Sequence, residues 1–416
     1  MEQKPGSGTL VRGVYTMTRR AGAPPKPSLV TPVFLLVTVS TFFYFLSIGS
    51  IVPTLPRFVE GPLGGSSLSV GLAVGSFAFS AVLMRPFIGG VGDRKGRRLL
   101  IVGGSFLVGL SIVAYMWVES LVPLLLLRLV MGVGEAAFYV GAASAINDLA
   151  PDERRGEAMS LFSLALYSGI AIGAVVGESV LDASNFNTVW LASGGFAVVA
   201  AFLGIRVADT RPAFDTPAET RLIHPSGLKP GTILASSVWG LAGFNTFVPL
   251  YALSIGMSGS RSVFFTFSAI VLGIRFFGKR LPDILGPRKA SRIALITNAT
   301  GLFVMGVWAE PAGLFVGAVL FGVGQALAFP ALISIALSGT PASERGAVVG
   351  TFTAFFDLAF GLGALSLGIV ESFVGYRGLF ISAGLVSIVG LGLLQTYAHQ
   401  SRVKANIEEA LRPERV

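Results

Sequence analysis

The 416-residue sequence has no cysteine, only two histidines (His224 and His399), and just 13% charged residues. The first absence excludes disulfide scaffolds, thiolate zinc sites, iron–sulfur clusters and thiol catalysis. The second leaves no ligand set for a multi-histidine centre, so neither a metal nor a cofactor is expected. The third is about half the usual share of about 25% in soluble proteins. With 53% hydrophobic residues, the chain cannot cover a water-facing surface with polar groups. A soluble enzyme and a disordered chain are excluded together. A Walker lysine motif is also missing, so any transport must draw on a gradient rather than on nucleotide hydrolysis.

What is present is a series of long apolar runs. Stretches free of Asp, Glu, Lys and Arg enclose 30 residues between Lys26 and Arg57, 24 between Glu60 and Arg85, 31 between Lys229 and Arg261, and 33 between Glu310 and Glu344. A helix needs about 20 apolar residues to cross a bilayer. Lipid cannot satisfy free backbone amides, and the alternating ten-residue pattern of a barrel is missing, so these runs read as helices. The expectation is an all-α polytopic membrane protein with twelve transmembrane helices. They lie near 30–57, 68–91, 98–118, 120–148, 156–181, 186–208, 230–255, 261–282, 290–309, 311–339, 345–373 and 376–397. Residues 1–29 are polar and basic without a short apolar core and cleavage site, so the first run reads as a retained helix.

The net charge is +9, and its distribution is informative. Of 31 basic residues, 25 fall in the two tails and the even-numbered loops, while Arg57, Arg261 and Arg377 fall in the odd-numbered ones. Arg85, Arg128 and Arg275 lie within apolar segments. By the positive-inside rule both termini are expected in the cytoplasm, with the chain in the cell membrane. The same asymmetry accounts for the basic charge, so the bilayer, and no nucleic acid, is the expected partner.

A single offset of 190 residues recurs along the chain. It relates Arg85 to Arg275, Asp93 to Asp283, Gly96 to Gly286, Arg98 to Arg288, Gly132 and Gly134 to Gly322 and Gly324, Pro151 to Pro341, and Gly173 to Gly363. Two parallel, pseudo-symmetric six-helix bundles are expected, at 30–208 and 229–397, joined by a cytoplasmic linker at 209–228 and flanked by tails at 1–29 and 398–416. Parallel repeats of this kind hold a substrate site near the bilayer midplane, between the halves.

The loop Gly89-Gly90-Val91-Gly92-Asp93-Arg94-Lys95-Gly96-Arg97-Arg98 resembles the signature between helices 2 and 3 of the major facilitator superfamily. Arg128 through Gly132 and Pro151 through Gly156 resemble that family's helix-4 element and 4–5 loop. The likeness covers roughly residues 30–397. It implies a monomeric secondary transporter working by alternating access, with Gly89, Asp93, Arg94, Gly96, Arg97, Arg98, Arg85 and the repeat copy Asp283 forming a cytoplasmic gate. Gly169, Gly173 and Gly177 resemble the antiporter motif of helix 5, although Ala174 and Glu178 depart from it.

Several polar residues stand at mid-membrane depth. Glu135 lies about fifteen residues into its segment, where a charge costs about 2.5–3.5 kcal/mol on insertion scales. Arg128, Gly132, Glu135 and Tyr139 share one helical stripe, which suggests a proton-coupling switch or a static pair holding the helix. The repeat copies of Arg128 and Glu135 are Ala318 and Gln325, so one half alone carries this charged stripe. Asp357, whose repeat copy is Tyr167, is flanked by Phe355 and Phe356; it suits an apolar or cationic ligand, or a hydrogen bond to a neighbouring helix. Asn245 and Gln325 are candidate cavity residues. Gly132, Gly169, Gly173 and Gly177 read first as packing positions and second as hinges. Glu178, near a helix end, reads as solvated. The reading reached is proton-coupled export of a small organic compound, with Glu135 and Asp357 exchanging protons. The alternatives are a sugar or metabolite uptake symporter or uniporter, and, more remotely, a receptor or an intramembrane enzyme.

Overall fold

The computed structural model describes residues 29–151, 154–209, 223–278, 281–341 and 344–410. Most of the expected tail at 1–29, the centre of the linker (210–222) and the last six residues (411–416) lie outside the described residues. Every described element is a helix: α1 (Pro32–Ile51), α2 (Thr54–Glu60), α3 (Ser67–Lys95), α4 (Arg97–Val113), α5 (Leu121–Leu149), α6 (Arg155–Ala183), α7 (Phe186–Ile205), α8 (Pro225–Ser254), α9 (Arg261–Phe277), α10 (Leu281–Leu285), α11 (Pro287–Val307), α12 (Pro311–Leu337) and α13 (Arg345–Ala410). A 3₁₀ turn at Ala114–Trp117 follows α4.

The boundaries differ from expectation where local chemistry overrides apolar run length. The expected helix 30–57 is divided into α1 and α2 next to Pro53, which has no N–H to continue the ladder. The expected helix 290–309 starts instead at Pro287, since proline is well suited to a first helical position. The expected helix 261–282 stops at Phe277, and the short α10 follows. The segment 398–410, expected as tail, continues α13 as helix. Within α13 the one non-helical residue is Gly375, at φ 68°, where two helices meet. Ten described helices are long and apolar enough to cross a bilayer. The last of these, Ala347–Tyr397, contains the Gly375 junction and so holds two crossings; with the 17-residue α9 the count is consistent with twelve.

The helices pack as two sets. In the first, α1 lies on α6 and α7, α5 on α3 and α4, and α4 on α7. In the second, α8 lies on α12 and α13, α11 on α12 and α13, and α9 on α12. Two principal contacts cross between the sets: α3 with α13, and α6 with α9. In the 190-residue repeat α9 is the counterpart of α3, and α6 of the first part of α13, so the crossings are two copies of one contact. Gly96 and Gly286, related by the same offset, both adopt positive φ (97° and 78°), at the turns that begin α4 and α11. A side chain at Gly96 would also collide with the Asp209 carboxylate.

Small residues set the helix spacing. Gly169, Gly173 and Gly177 lie on backbone of α1 at Phe42, Leu46 and Ser50, and Gly132 lies on α3 at Phe77. A Cβ at Gly71 would stand 2.6 Å from the Ala364 carbonyl oxygen, so α3 and α13 meet almost backbone to backbone. Such contact lets dispersion stand in for the hydrophobic drive that a bilayer lacks.

Candidate functional site

A cavity of about 230 Å³ lies between the two sets, lined from α1, α3, α5 and α6 on one side and α8, α9, α12 and α13 on the other. Typical ligand pockets run from about 300 to 1,000 Å³, so the space suits a solute of modest size. The walls are mostly apolar, contributed by residues such as Phe45, Ile48, Phe77, Phe267 and Phe360. Five charged side chains also reach it: Arg85, Arg128, Glu135, Arg275 and Asp357.

Glu135 is the middle residue of the 29-residue α5 and is 7% exposed. Its carboxylate accepts a 2.6 Å hydrogen bond from the Tyr44 hydroxyl of α1. Tyr44 is held by stacking flat on Phe138, with centroids 3.7 Å apart. Arg128 is turned away from Glu135. Its Nε donates to the Ala73 carbonyl at 2.7 Å, and its guanidinium lies 4.5 Å from the centre of the Phe77 ring. The stripe foreseen on this helix therefore exists, but its two charges have separate partners.

Asp357 on α13 is paired with Arg85 on α3, so the ion pair joins the two sets of helices. Sequence grouped Arg85 with the loop that follows α3. The structure instead puts it against Asp357 and 4.7 Å from the centre of the Tyr139 ring. Tyr139 is thus a platform for Arg85 rather than part of the cavity wall. On the opposite crossing, Arg275 of α9 lies 3.6 Å from the centre of the Tyr167 ring of α6. It has no carboxylate partner among the described residues, and its buried Nε has no hydrogen-bond partner.

Of the smaller polar candidates, Asn245 and Gln325 both line the cavity. Gln325 also donates to the Ser237 carbonyl and hydroxyl of α8 at 3.1 and 3.2 Å, so it ties α12 to α8.

The start of α1 marks one face of the helix bundle, the terminal face; the opposite, far face, reached at the end of α6, carries a seal that sequence reasoning missed. Glu178, expected to be solvated, is fully buried. It accepts hydrogen bonds from the Ser260 N–H (2.6 Å) and Ser260 Oγ (2.7 Å). Ser260 is the N-cap of α9, so a carboxylate from one set faces the positive helix end of the other. Arg57 stands 3.4 Å from Glu178 and 3.6 Å from Asp182, which also faces Arg261 at 3.6 Å. The signal available was Glu178 itself, the acid that ends a charge-free run of twenty residues, because a carboxylate at the edge of hydrocarbon requires donors.

On the terminal face, Asp93 pairs with Arg97 at 2.7 Å, and Arg97 with Asp148 of α5 at 3.4 Å. These are contacts within the first set. Arg94 and Arg98 are exposed, and Gly89 has open space around it. Asp283 falls in α10, with its side chain outside the described residues. Among the described residues no group of three or more potential ligands could hold a metal ion.

Comparisons with known proteins agree on the fold. A family model described as Major Facilitator Superfamily matches residues 37–307 and 262–415. An uncharacterized MFS-type transporter of Salmonella typhimurium is 27% identical over 378 residues, spanning 88% of this chain and 96% of the relative. The uncharacterized MFS-type transporter YhhS of Escherichia coli K12 is 26% identical over 382 residues, spanning 90% and 94%. Among solved structures, a bacterial homolog of the human lysosomal transporter Spinster, inward-facing and occupied, superposes with a TM-score of 0.75 at 15% identity, covering 88% of this chain and 96% of that one.

Proposed function

The chain belongs to the major facilitator superfamily, a family of transporters rather than enzymes, and from that premise we propose that it moves a small organic solute across the cell membrane by proton-coupled alternating access. The observation that carries this reading is the Arg85–Asp357 ion pair across the two helix sets, in one cavity with Glu135. An ion pair that joins two moving bodies must break when they rock apart. Each buried carboxylate then either finds another donor or takes a proton, because an unpaired charge in a low-dielectric site is too costly. Proton exchange at Asp357 and Glu135 is thereby tied to the motion.

In this reading the bundles at 30–208 and 229–397 rock about the cavity, with both termini cytoplasmic and the protein acting as a monomer. Glu178 on the α9 N-terminus closes the far face. Asp93 and the arginines around it close the terminal face in the opposite state. Export, with solute leaving as protons enter, is the direction drawn from the glycine run of α6. Uptake alongside protons is the second reading, favoured by the three arginines that face two carboxylates in the cavity.

The test begins with a thermal-shift screen of purified protein against organic solutes. Proteoliposomes carrying an internal pH dye then receive each stabilising compound. A solute that both stabilises the protein and moves protons supports the reading, and the sign of the proton movement decides between export and uptake. If no stabilising solute moves protons, proton coupling is excluded.

A further inference from the structure

Resting on the transport reading, we propose that the cavity selects an amphipathic organic anion: a carboxylate or sulfonate head group received by Arg275 and Arg128, on an apolar, preferably aromatic, body. The argument starts from charge balance. Arg85, Arg128 and Arg275 face Glu135 and Asp357, so the fully ionised site carries one positive charge in excess. The pairing is also uneven. Asp357 is taken by Arg85, and Glu135 is held by the Tyr44 hydroxyl. Among the described residues Arg128 and Arg275 remain without a carboxylate.

How the arginines are held points the same way. Each of the three lies over an aromatic ring: Arg85 over Tyr139, Arg128 over Phe77 and Arg275 over Tyr167. A ring face fixes the plane of a guanidinium and attracts it without neutralising its charge; Arg128 spends its Nε on the Ala73 carbonyl and its Nη1 on Met131 Sδ, neither of which is a counter-charge. The Nε of Arg275, like that of Arg85, is buried with no acceptor, but Arg275 has no carboxylate on its other nitrogens among the described residues. A carboxylate or sulfonate supplies two acceptor oxygens to the guanidinium fork and cancels the excess charge at once. Most of the remaining wall, including Phe45, Ile48, Phe264, Phe267 and Phe360, is apolar and suits a hydrocarbon or aromatic body, with Asn245, Thr246, Ser268 and Gln325 as its uncharged polar members. A cation would enter a site that already carries one positive charge in excess. Protonating Glu135 removes a negative charge from the same space, so proton and anion assist one another, which favours the second reading, uptake alongside protons, over export.

The experiment is equilibrium binding to the purified full chain by calorimetry, without a gradient. Three probes share one ring system: 2-naphthalenesulfonate, 2-naphthalenemethanol and 2-naphthylmethylammonium. The sulfonate is expected to bind at least about tenfold more tightly than the alcohol, and the ammonium most weakly. Arg275→Gln should cost the sulfonate about tenfold while leaving the alcohol unchanged. Glu135→Gln should strengthen sulfonate binding, a gain that misfolding cannot imitate. The proposal is overturned if the alcohol or the ammonium matches the sulfonate, or if Arg275→Gln and Glu135→Gln both leave sulfonate affinity as it was. Because no gradient is used, this outcome is independent of the transport reading. An anion that binds as expected but never moves with protons would retain the substrate class and remove the coupling. A neutral solute driven by protons would do the reverse.

Discussion

The two crossings between the helix sets are one contact built twice, with different chemistry. On one side Arg85 of α3 meets residue 357 of α13; on the other, Arg275 of α9 meets residue 167 of α6. Both members of the second pair stand 190 residues before or after their counterparts in the first. In the first copy the partner is a carboxylate, and in the second it is a tyrosine. The same offset relates Gly368, which packs on the Ser67 backbone, to Glu178, which caps α9 at Ser260. The α3–α13 crossing thus combines close glycine packing with a buried ion pair. The α6–α9 crossing combines an unneutralised arginine with a carboxylate seal at the far face. In the proposed mechanism, symmetry supplies the scaffold for rocking, and the departures from it supply the charges through which rocking would respond to protons and ligand.

That comparison can be broken in order of expected effect. Asp357→Asn strips Arg85 of its partner and should cost about 3–5 kcal/mol of stability in detergent unfolding. Arg85→Gln added to it should restore most of the loss, whereas additive losses would mean that the two residues are not coupled. Making the copies alike in the other sense, Tyr167→Asp gives Arg275 a carboxylate and should weaken 2-naphthalenesulfonate binding by about tenfold, as a competing internal anion must. Glu178→Gln keeps the shape of the far-face seal but removes its charge. A hydrogen bond to a charged group contributes about 1.5–3 kcal/mol, so the population open at that face should rise by roughly tenfold. The absence of native cysteine makes the measurement clean: spin labels at Ser184→Cys and Ser258→Cys should show a longer distance in the Glu178→Gln background. The smallest effect belongs to Gln325→Ala, which loses a tie between α12 and α8 and should cost about 0.6 kcal/mol, near the average for hydrogen bonds between membrane helices.

The helices were legible in the sequence, with a count consistent with twelve, because lipid imposes run length and self-contained hydrogen bonding on every crossing. Glu135 and Asp357 were legible as unusual residues for the same reason, since a charge at mid-membrane must be compensated. Their partners were not. Arg85 and Asp357 are 272 residues apart in the chain, and nothing local in either segment names the other. Arg85 was instead grouped with the basic loop that it precedes. Arg275 was visible as an intramembrane arginine, yet its meaning depends on what it lacks in three dimensions. Glu178 looked solvated because it nears a helix end; only the fold brings the N-terminus of α9 over it. Local physics fixes where a charge sits along the membrane normal, and tertiary packing alone decides what it faces.

The central claim is that carboxylates in the cavity tie proton exchange to the motion of the two helix sets. It is tested most directly with Glu135→Gln in proteoliposomes, comparing solute flux driven by an imposed pH gradient with solute counterflow at equal pH. The account predicts that gradient-driven flux is abolished while counterflow persists. Gradient-driven flux at the level of the unaltered protein, in Glu135→Gln and again with Asp357→Asn added, would contradict it.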